Sequence, residues 1–157
     1  MSTLSSIAFV VNAQKSGAPE LAGELMKLAQ AHGASVKETH AFPVSTDFLQ
    51  DCDVCCVIGG DGTLLGISRI AAEAGVPIIG VNRGSLGFLT TFTADEAKEH
   101  LPSLLRGEYK LDERVMLECC SGEDQSDLAL NDVVIKDELH SRLTRLRVQA
   151  DGKFVTS

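Results

Sequence analysis

The sequence predicts an α/β fold with a doubly wound, mostly parallel sheet, followed by the first strands of an all-β domain. Over the first hundred residues, short apolar runs rich in β-branched residues alternate with segments of helical spacing. Such alternation is typical of parallel sheets, because a parallel crossover usually contains a helix. After that region, β-like runs follow one another with no helical pattern between them.

The α/β part divides into predicted strands that alternate with helices, with only a helical turn at Asp47–Leu49 between the second and third strands. The predicted strands are Ser6–Asn12, Ser35–Thr39, Val54–Ile58 and Val76–Asn82. Pro19 is suited to the first position of a helix that Gly33 ends, and Leu64–Ala74 has helical spacing that Gly75 ends. A capping box at Thr93–Glu96 predicts a third helix that continues to about Arg106, where Gly107 closes it.

The later β-like stretches predict a second domain. They are Tyr109–Cys120, Leu128–Lys136 and Leu143–Val155, and Asp151-Gly152 is a strong hairpin signal. We therefore assign residues 1–107 to an α/β domain and residues 108–157 to the start of a β-sandwich. Three strands cannot bury both faces of a sandwich, so we expect the chain to be a fragment of a longer protein.

Composition narrows the class of protein. The 157 residues carry a formal net charge of −8, which argues against nucleic acid or an anionic membrane as a partner. Apolar runs stay well short of the roughly 20 residues that span a bilayer. The N-terminus lacks the basic region and apolar core of a secretory signal, so we expect a cytoplasmic location.

The cysteines and histidines do not form a predicted metal site. The cysteine count is odd and most members lie in apolar runs, which favours reduced thiols that act as small hydrophobic residues: Cys52, Cys55, Cys56, Cys119 and Cys120. The four histidines have polar neighbours, and we expect them at the surface: His32, His40, His100 and His140.

A glycine-rich loop, Gly59-Gly60-Asp61-Gly62-Thr63, joins a buried strand to a helix. Glycines expose backbone N–H groups and a helix N-terminus attracts anions, so the loop predicts a phosphate site rather than a simple tight turn. The loop lacks the lysine of the P-loop and the glycine spacing of dinucleotide-binding domains. Asp61 would repel phosphate unless it holds a metal or accepts a proton from a reacting hydroxyl, which indicates catalysis.

Three loops are predicted to meet at one edge of the sheet. Asn12, the loop Gly59–Thr63 and the segment Asn82–Gly87 each follow a predicted strand. In open α/β sheets, ligands bind beyond the carboxyl ends of the strands. We therefore place the site there.

Three motifs together resemble one family. The Gly-Gly-Asp-Gly-Thr (GGDGT) motif resembles the signature of a kinase superfamily that includes NAD kinases, 6-phosphofructokinases and diacylglycerol/sphingosine kinases. Gly80–Thr90 and Leu130–Ile135 resemble the NAD kinase segments that follow the fourth strand and open the β domain. The sequence from Ile7 to Val155 thus resembles the N-terminal half of a bacterial-type NAD kinase, which implies an NAD kinase/diacylglycerol kinase-like fold.

This resemblance implies a reaction and a role for each motif residue. The reaction is Mg²⁺-dependent transfer of the γ-phosphoryl of ATP to the 2′-hydroxyl of the adenosine ribose of NAD, giving NADP. Asp61 would be the catalytic aspartate that accepts the hydroxyl proton. Gly60, Gly62 and Thr63 would contact phosphates, Asn131 and Asp132 would hold the ribose and amide groups of NAD, and Arg142 would supply a cationic contact. We assign no residue as a metal ligand.

Several alternatives stay open at the sequence level. Asn131-Asp132 has the composition of a β-turn or bulge, Arg83 that of a solvated loop charge, and Phe88 that of a core plug beneath the loop. The alternative functions are a diacylglycerol/sphingosine-type lipid kinase of the same superfamily and a non-catalytic nucleotide-binding domain.

The resemblance also implies assembly and incompleteness. Members of the family are homo-oligomers, dimers or tetramers, assembled through the β domain. A further glycine- and threonine-rich segment that completes the NAD site would follow Ser157, so we expect these 157 residues to be inactive alone.

Overall fold

Parallel strands form the central sheet of the computed structural model, which describes residues 3–84, 87–122, 125–135 and 146–157. The strands are β1 (Ser6–Val11), β2 (Ser35–Thr39), β3 (Val54–Gly59) and β4 (Ile78–Asn82). Their order across the sheet is β2-β1-β3-β4, and each neighbouring pair is parallel. The predicted α/β class and the parallel sheet are confirmed.

Three helices cover the two faces of this sheet: α1 (Ala18–Ala31), α2 (Asp61–Ala74) and α3 (Ala94–Leu105). Alternate residues of β1 point to opposite faces, so Ile7 and Phe9 pack with α1 and α3, whereas Ala8 and Val10 pack with α2. Both sets are fully buried. Helices on both faces confirm the doubly wound arrangement.

The strand order creates a switch point between β1 and β3. From β1 the chain crosses to β2 on one side, and it then returns to β3 on the other side. At such a point the two adjacent crossovers leave in opposite directions and open a crevice at the carboxyl ends of the strands. The crevice here lies between Asn12 and the loop that begins at Gly60.

Antiparallel hairpins follow the α/β part. In the described part of the chain after residue 107, β5 (Leu117–Cys120) pairs with β6 (Ser126–Ala129), and β7 (Val148–Ala150) pairs with β8 (Lys153–Thr156). Asp151 and Gly152 take positive φ angles of 50° and 75°, as the predicted two-residue turn requires. The antiparallel strands fit the beginning of a β domain, while the boundary at residue 107 stays a prediction.

Three sequence predictions were wrong in extent. Of the β-like run Leu128–Lys136, only Leu128 and Ala129 lie in a strand within the described residues. The β-like run from Tyr109 forms a strand only from Leu117 onward, because a strand needs a hydrogen-bonded neighbour, and β6 supplies one only to that part. Helix α2 begins at Asp61, three residues before the predicted start, since propensity alone does not show that Asp61 and Gly62 take helical geometry.

The cysteines are free thiols, but they are not equally buried. Cys55 and Cys56 lie in the core, where burial raises the pKa of the Cys55 thiol to about 12. Cys52 and Cys119 are half-buried and Cys120 is exposed, so the prediction of a core role was wrong for Cys120. Among the residues that the structure describes, no helix is both long and apolar enough to cross a bilayer.

One surface carboxylate holds the start of β1 against the start of β3. Asp53 Oδ2 accepts hydrogen bonds from Ser5 N at 2.6 Å, Ser5 Oγ at 2.8 Å and Ser6 N at 2.9 Å. These bonds to Ser5, followed by the one to Ser6, lower the pKa of Asp53 against the opposing effect of desolvation. The contact therefore fixes the register at which the sheet begins.

We predict that Asp53→Asn destabilises the fold by on the order of 1 kcal/mol at pH 7, because an uncharged amide oxygen accepts these bonds more weakly. Since the pKa of Asp53 is lowered in the folded state, its contribution is present above the unfolded pKa and disappears as the pH falls through the folded pKa. Urea denaturation at pH 7 and at about pH 3 measures both effects.

The Asp51→Asn variant is the control, because it removes a neighbouring charge and leaves the contacts of Ser5 and Ser6 in place. An equal loss of stability in both variants, or a loss that persists at low pH, would contradict the assignment.

Candidate functional site

The carboxyl ends of β1 and β3 are joined at the switch point by hydrogen bonds. Asn12 N donates to Ile58 O at 2.9 Å, and Asn12 Nδ2 donates to Thr63 Oγ1 at 3.2 Å. Thr63 is buried to all but 6% of its surface. The Asn12 side chain therefore ties the loop after β1 to the first turn of α2.

The glycine loop connects β3 directly to α2. Gly60 is the residue before the helix, with φ −151° and ψ −174°, and Asp61 is the first helical residue. The first intrahelical bonds run from Thr63 N and Leu64 N to Gly60 O. The N–H groups of Asp61 and Gly62 precede these bonds, so they are donors of the kind that an anion engages at a helix N-terminus.

Glycine is required by packing at one position of the loop and not at the other two. A Cβ at Gly59 would collide with the Thr63 side chain, so Gly59 is required by packing. Neither Gly60 nor Gly62 has a positive φ, and a Cβ on either would meet nothing within 4 Å. The fold therefore does not require glycine at positions 60 and 62, and their bare backbone leaves open space at the start of α2.

The Asp61 carboxylate is held by the backbone of a second loop. Oδ2 accepts from Phe88 N at 2.8 Å, and Oδ1 accepts from Leu89 N at 3.2 Å, Thr90 N at 3.1 Å and Thr90 Oγ1 at 3.3 Å. A carboxylate offers about four lone-pair positions, two on each oxygen. Oδ1 is saturated by this set, whereas Oδ2 keeps room for one more donor.

The segment that supplies these donors is aligned by β4. Thr91 N and Phe92 N both donate to Gly80 O at 3.0 Å, and Asn82 N donates to Phe92 O at 2.8 Å. A Cβ at Gly80 would lie 3.0 Å from Thr90 Cα, so glycine is needed where the segment crosses β4. A Cβ at Gly87 would collide with the Asp61 carboxylate, so glycine is needed there as well.

The surroundings of Asp61 keep it charged. Desolvation is the largest single influence and raises its pKa, but the backbone donors of Phe88, Thr90 and Leu89 and the Thr90 hydroxyl together outweigh it, and the net pKa is lowered. The position of Asp61 in the first turn of α2 also favours the anion. At neutral pH the group is a fixed, oriented carboxylate.

Arg83 binds neighbouring loops and is not simply solvated. Its backbone N donates to Gly59 O at 2.7 Å, and its guanidinium donates to Ser16 O through Nη2 at 2.8 Å and Nε at 3.2 Å. The guanidinium occupies the space where Gly17 would carry a Cβ. The ends of β1, β3 and β4 are thus tied together, as the loop positions in the sequence predict.

The predicted NAD-binding pair lies beside the next turn of α2. Asn131 and Asp132 are exposed and follow β6, and with Leu65 and Ser68 they line a shallow recess of about 200 Å³. An ion pair of 2.7 Å between Arg69 Nη1 and Asp127 Oδ1 joins α2 to β6 close to this recess. The structure therefore brings the pair to the helix that Asp61 begins.

One prediction in this region was wrong, and another lies outside the described residues. Phe88 is fully exposed and does not plug the core; hydrophobicity alone could not show that its N–H would be bound to Asp61 and its ring directed outward. The hydrogen bond to Asp61 brings Phe88 to the candidate site, which the sequence did not predict. Arg142 and His140 lie outside the described residues.

Comparisons with known proteins point to one family. A family model described as the ATP-NAD kinase N-terminal domain matches residues 37–109. An NAD kinase of Acidovorax sp. (strain JS42) is 42% identical over 112 residues, which are 69% of this chain and 38% of that protein. An NAD kinase of Clostridium botulinum (strain Kyoto / Type A2) is 42% identical over 108 residues, with coverage of 67% and 38%.

In its N-terminal part, the chain belongs to the NAD kinase family. It spans about 38% of the length of these curated relatives. The stretch that the NAD kinase family model matches contains Asp61, the glycine loop and Phe88, whereas Asn131, Asp132 and Arg142 lie beyond it.

Solved structures in the family share the fold. The chain resembles yeast NADH kinase complexed with NADH at a TM-score of 0.75 and 18% identity, over 99% of this chain and 55% of that one. It resembles an NAD kinase from Archaeoglobus fulgidus in complex with ATP at a TM-score of 0.53 and 22% identity, over 76% and 43%.

We predict that Asp61→Asn accelerates amide hydrogen exchange at Phe88, Leu89 and Thr90. The Asn side chain has one acceptor oxygen in place of two, and its NH₂ group would face N–H donors. Hydrogen exchange followed by NMR at each amide measures the effect.

The amides of Thr91 and Phe92, which bond to Gly80 O, are the internal control and should keep their protection. Unchanged exchange at Phe88–Thr90 would show that the carboxylate does not hold this segment.

Proposed function

We propose that the chain is the catalytic α/β part of an NAD kinase, which transfers the γ-phosphoryl of ATP to the 2′-hydroxyl of the adenosine ribose of NAD in the presence of Mg²⁺. The observation that carries the proposal is the Asp61 carboxylate, fixed by backbone donors at the open N-terminus of α2. It lies at the end of the strand where ligands bind in this class of sheet.

The phosphates of ATP are placed against Gly60 and Gly62. The bare backbone there permits close approach, and the helix N-terminus supplies N–H donors and a partial positive charge. Thr63 lies beside them, and because its Oγ1 accepts from Asn12, its hydroxyl proton remains to be donated. These features support the phosphate contacts proposed for Gly60, Gly62 and Thr63.

Asp61 is placed at the ribose hydroxyl. The free lone pair of Oδ2 accepts the 2′-OH hydrogen bond and orients the oxygen toward the γ-phosphorus. In the transfer a new O–P bond forms, the bond to the β-phosphate oxygen breaks, ADP leaves and Asp61 receives the proton. A lowered pKa makes Asp61 a weak base, which suits a loose transition state in which the hydroxyl proton is lost late.

Magnesium fits this site as a companion of ATP. Among the described residues, no group of three or more His, Cys, Asp or Glu side chains could hold a metal ion. Mg²⁺ commonly binds substrate phosphates, waters and only one or two carboxylates. No side chain is assigned to the ion, which would neutralise charge on the phosphates.

The acceptor NAD is placed between Phe88 and the recess beside α2. The exposed Phe88 ring offers a face for stacking of a base, and the carboxylate and amide of Asp132 and Asn131 suit sugar hydroxyls and an amide group. Arg142 would add a cationic contact. The homo-oligomeric assembly, the boundary at residue 107 and the cytoplasmic location belong to the same proposal.

We predict that Asp61→Asn lowers NADP formation by about 10²–10⁴-fold, because the proton acceptor and the orienting charge are lost together. The assay uses the protein at its natural length with ATP, Mg²⁺ and NAD, and it measures NADP by chromatography. Affinity for ATP, measured by calorimetry, should be retained.

The control is Thr90→Val, which removes one of the donors to Asp61 but keeps the carboxylate, and should cost far less activity. Turnover by Asp61→Asn close to the wild-type rate would remove Asp61 from the catalytic role, and a wild type that binds ATP but forms no NADP would favour a non-catalytic nucleotide-binding domain. Phosphorylation of a diacylglycerol in place of NAD would favour the lipid kinase.

We also predict that Gly62→Ala raises the stability of the fold and lowers its affinity for ATP. Glycine inside a helix costs roughly 0.5–1 kcal/mol relative to alanine, so the variant should gain stability in urea. The added methyl group fills the space assigned to phosphate and should weaken ATP binding about tenfold, a loss of roughly 1.4 kcal/mol.

Gly23→Ala in α1 is the matched control, because a Cβ there also meets nothing within 4 Å. It should gain stability with unchanged ATP affinity. Undiminished ATP binding by Gly62→Ala would contradict the assignment of the phosphates to this position.

A further inference from the structure

A groove of about 490 Å³ opens on the side of α2 where β1 and β2 end. Its volume falls within the range of small-molecule sites, about 300–1,000 Å³. The loops after β1 and β2 and the first turn of α2 line it, through Asn12, Ala13, Gln14, His40, Phe42, Gly62 and Thr63. It shares Gly62 and Thr63 with the proposed phosphate position, so it is continuous with that site.

An aromatic ring forms one wall of this groove. Phe42 is 46% exposed, and its Cε1 lies 3.6 Å from where a Cβ of Gly66 would stand, so the ring lies across the second turn of α2. Gly62 and Gly66 are four residues apart and share a face of the helix. Neither position carries a side chain, which leaves space next to the ring.

The opposite wall is polar and partly fixed. Asn12 donates to Thr63 Oγ1 and accepts from Gln14 N at 3.1 Å, so its amide is held at both ends. Among the described residues, no lysine or arginine lines the groove, and the His40 ring is paired with Glu38 at 3.0 Å. A wall of this kind suits an uncharged, hydrogen-bonding ring better than it suits a phosphate chain.

We propose that this groove holds the nucleoside part of the phosphoryl donor, with the base stacked on Phe42 and polar contacts from Gln14. The inference rests on the proposed function, because the donor's phosphates must lie at Gly60 and Gly62 for its base to reach the groove. It makes Phe42 a determinant of specificity for a nucleoside triphosphate over a bare phosphate chain. A bare polyphosphate chain would leave this groove empty.

The test compares ATP with inorganic tripolyphosphate, both with Mg²⁺, by calorimetry on the protein at its natural length. The wild type should bind ATP about tenfold more tightly than tripolyphosphate, in keeping with the contribution of one base–aromatic stack. Phe42→Leu keeps apolar bulk but removes the stacking face, so it should lose most of that difference. Phe42→Tyr should keep it, and tripolyphosphate affinity should be the same in all three proteins.

The outcomes separate this inference from the proposed function. Equal wild-type affinity for the two ligands, or an equal loss of both in Phe42→Leu, would overturn the base site and leave the phosphate site standing. Failure to bind either ligand would contradict the proposed phosphate site and the proposed base site together. Thermal melting of each variant, expected within a few degrees of the wild type, shows that the comparison is made between folded proteins.

Discussion

The contact between the Asp61 carboxylate and the backbone of residues 88–90 is the constraint on which the site depends. It joins the first residue of α2 to a segment that β4 aligns through Gly80, Asn82 and Phe92. The two glycines at positions 80 and 87 are required by close approach, one to Thr90 Cα and one to the carboxylate itself. Backbone hydrogen bonds thereby fix a charged group at a helix N-terminus.

Much of the α/β part could be predicted, because its signals are local. Runs such as Val54–Ile58 are apolar on both faces, as buried parallel strands are, and Gly33, Gly75 and the Thr93–Glu96 capping box mark helix ends by backbone chemistry. The β part was less predictable. Where a strand such as Leu117–Cys120 begins depends on its partner β6, and sequence period does not report pairing between distant residues.

The residues of the site, too, could be predicted only where the signal is local in sequence. The glycine loop and Asp61 could be predicted because a strand, glycines and a helix follow one another in sequence. Asn131-Asp132 was predicted through a family motif, and its role stays a prediction. Phe88 and Phe42 were not predicted to border the site, because a phenylalanine pattern does not distinguish a ring in the core from one at the edge of a groove. Only the path of residues 87–92 along β4, and of residues 40–42 past α2, decides where these rings lie.

Asp61 also links the two sides of the crevice thermodynamically. Its carboxylate belongs to α2, which faces the groove through Gly62, and its hydrogen-bond donors belong to the loop that carries Phe88. Any ligand that occupies the remaining lone pair of Oδ2 changes how strongly this loop is held, and any ligand that reorders the loop changes the proton affinity of Asp61 by the same free energy. The occupancy of Oδ2 and the order of the Phe88 loop are therefore coupled through one carboxylate, and the coupling is reciprocal.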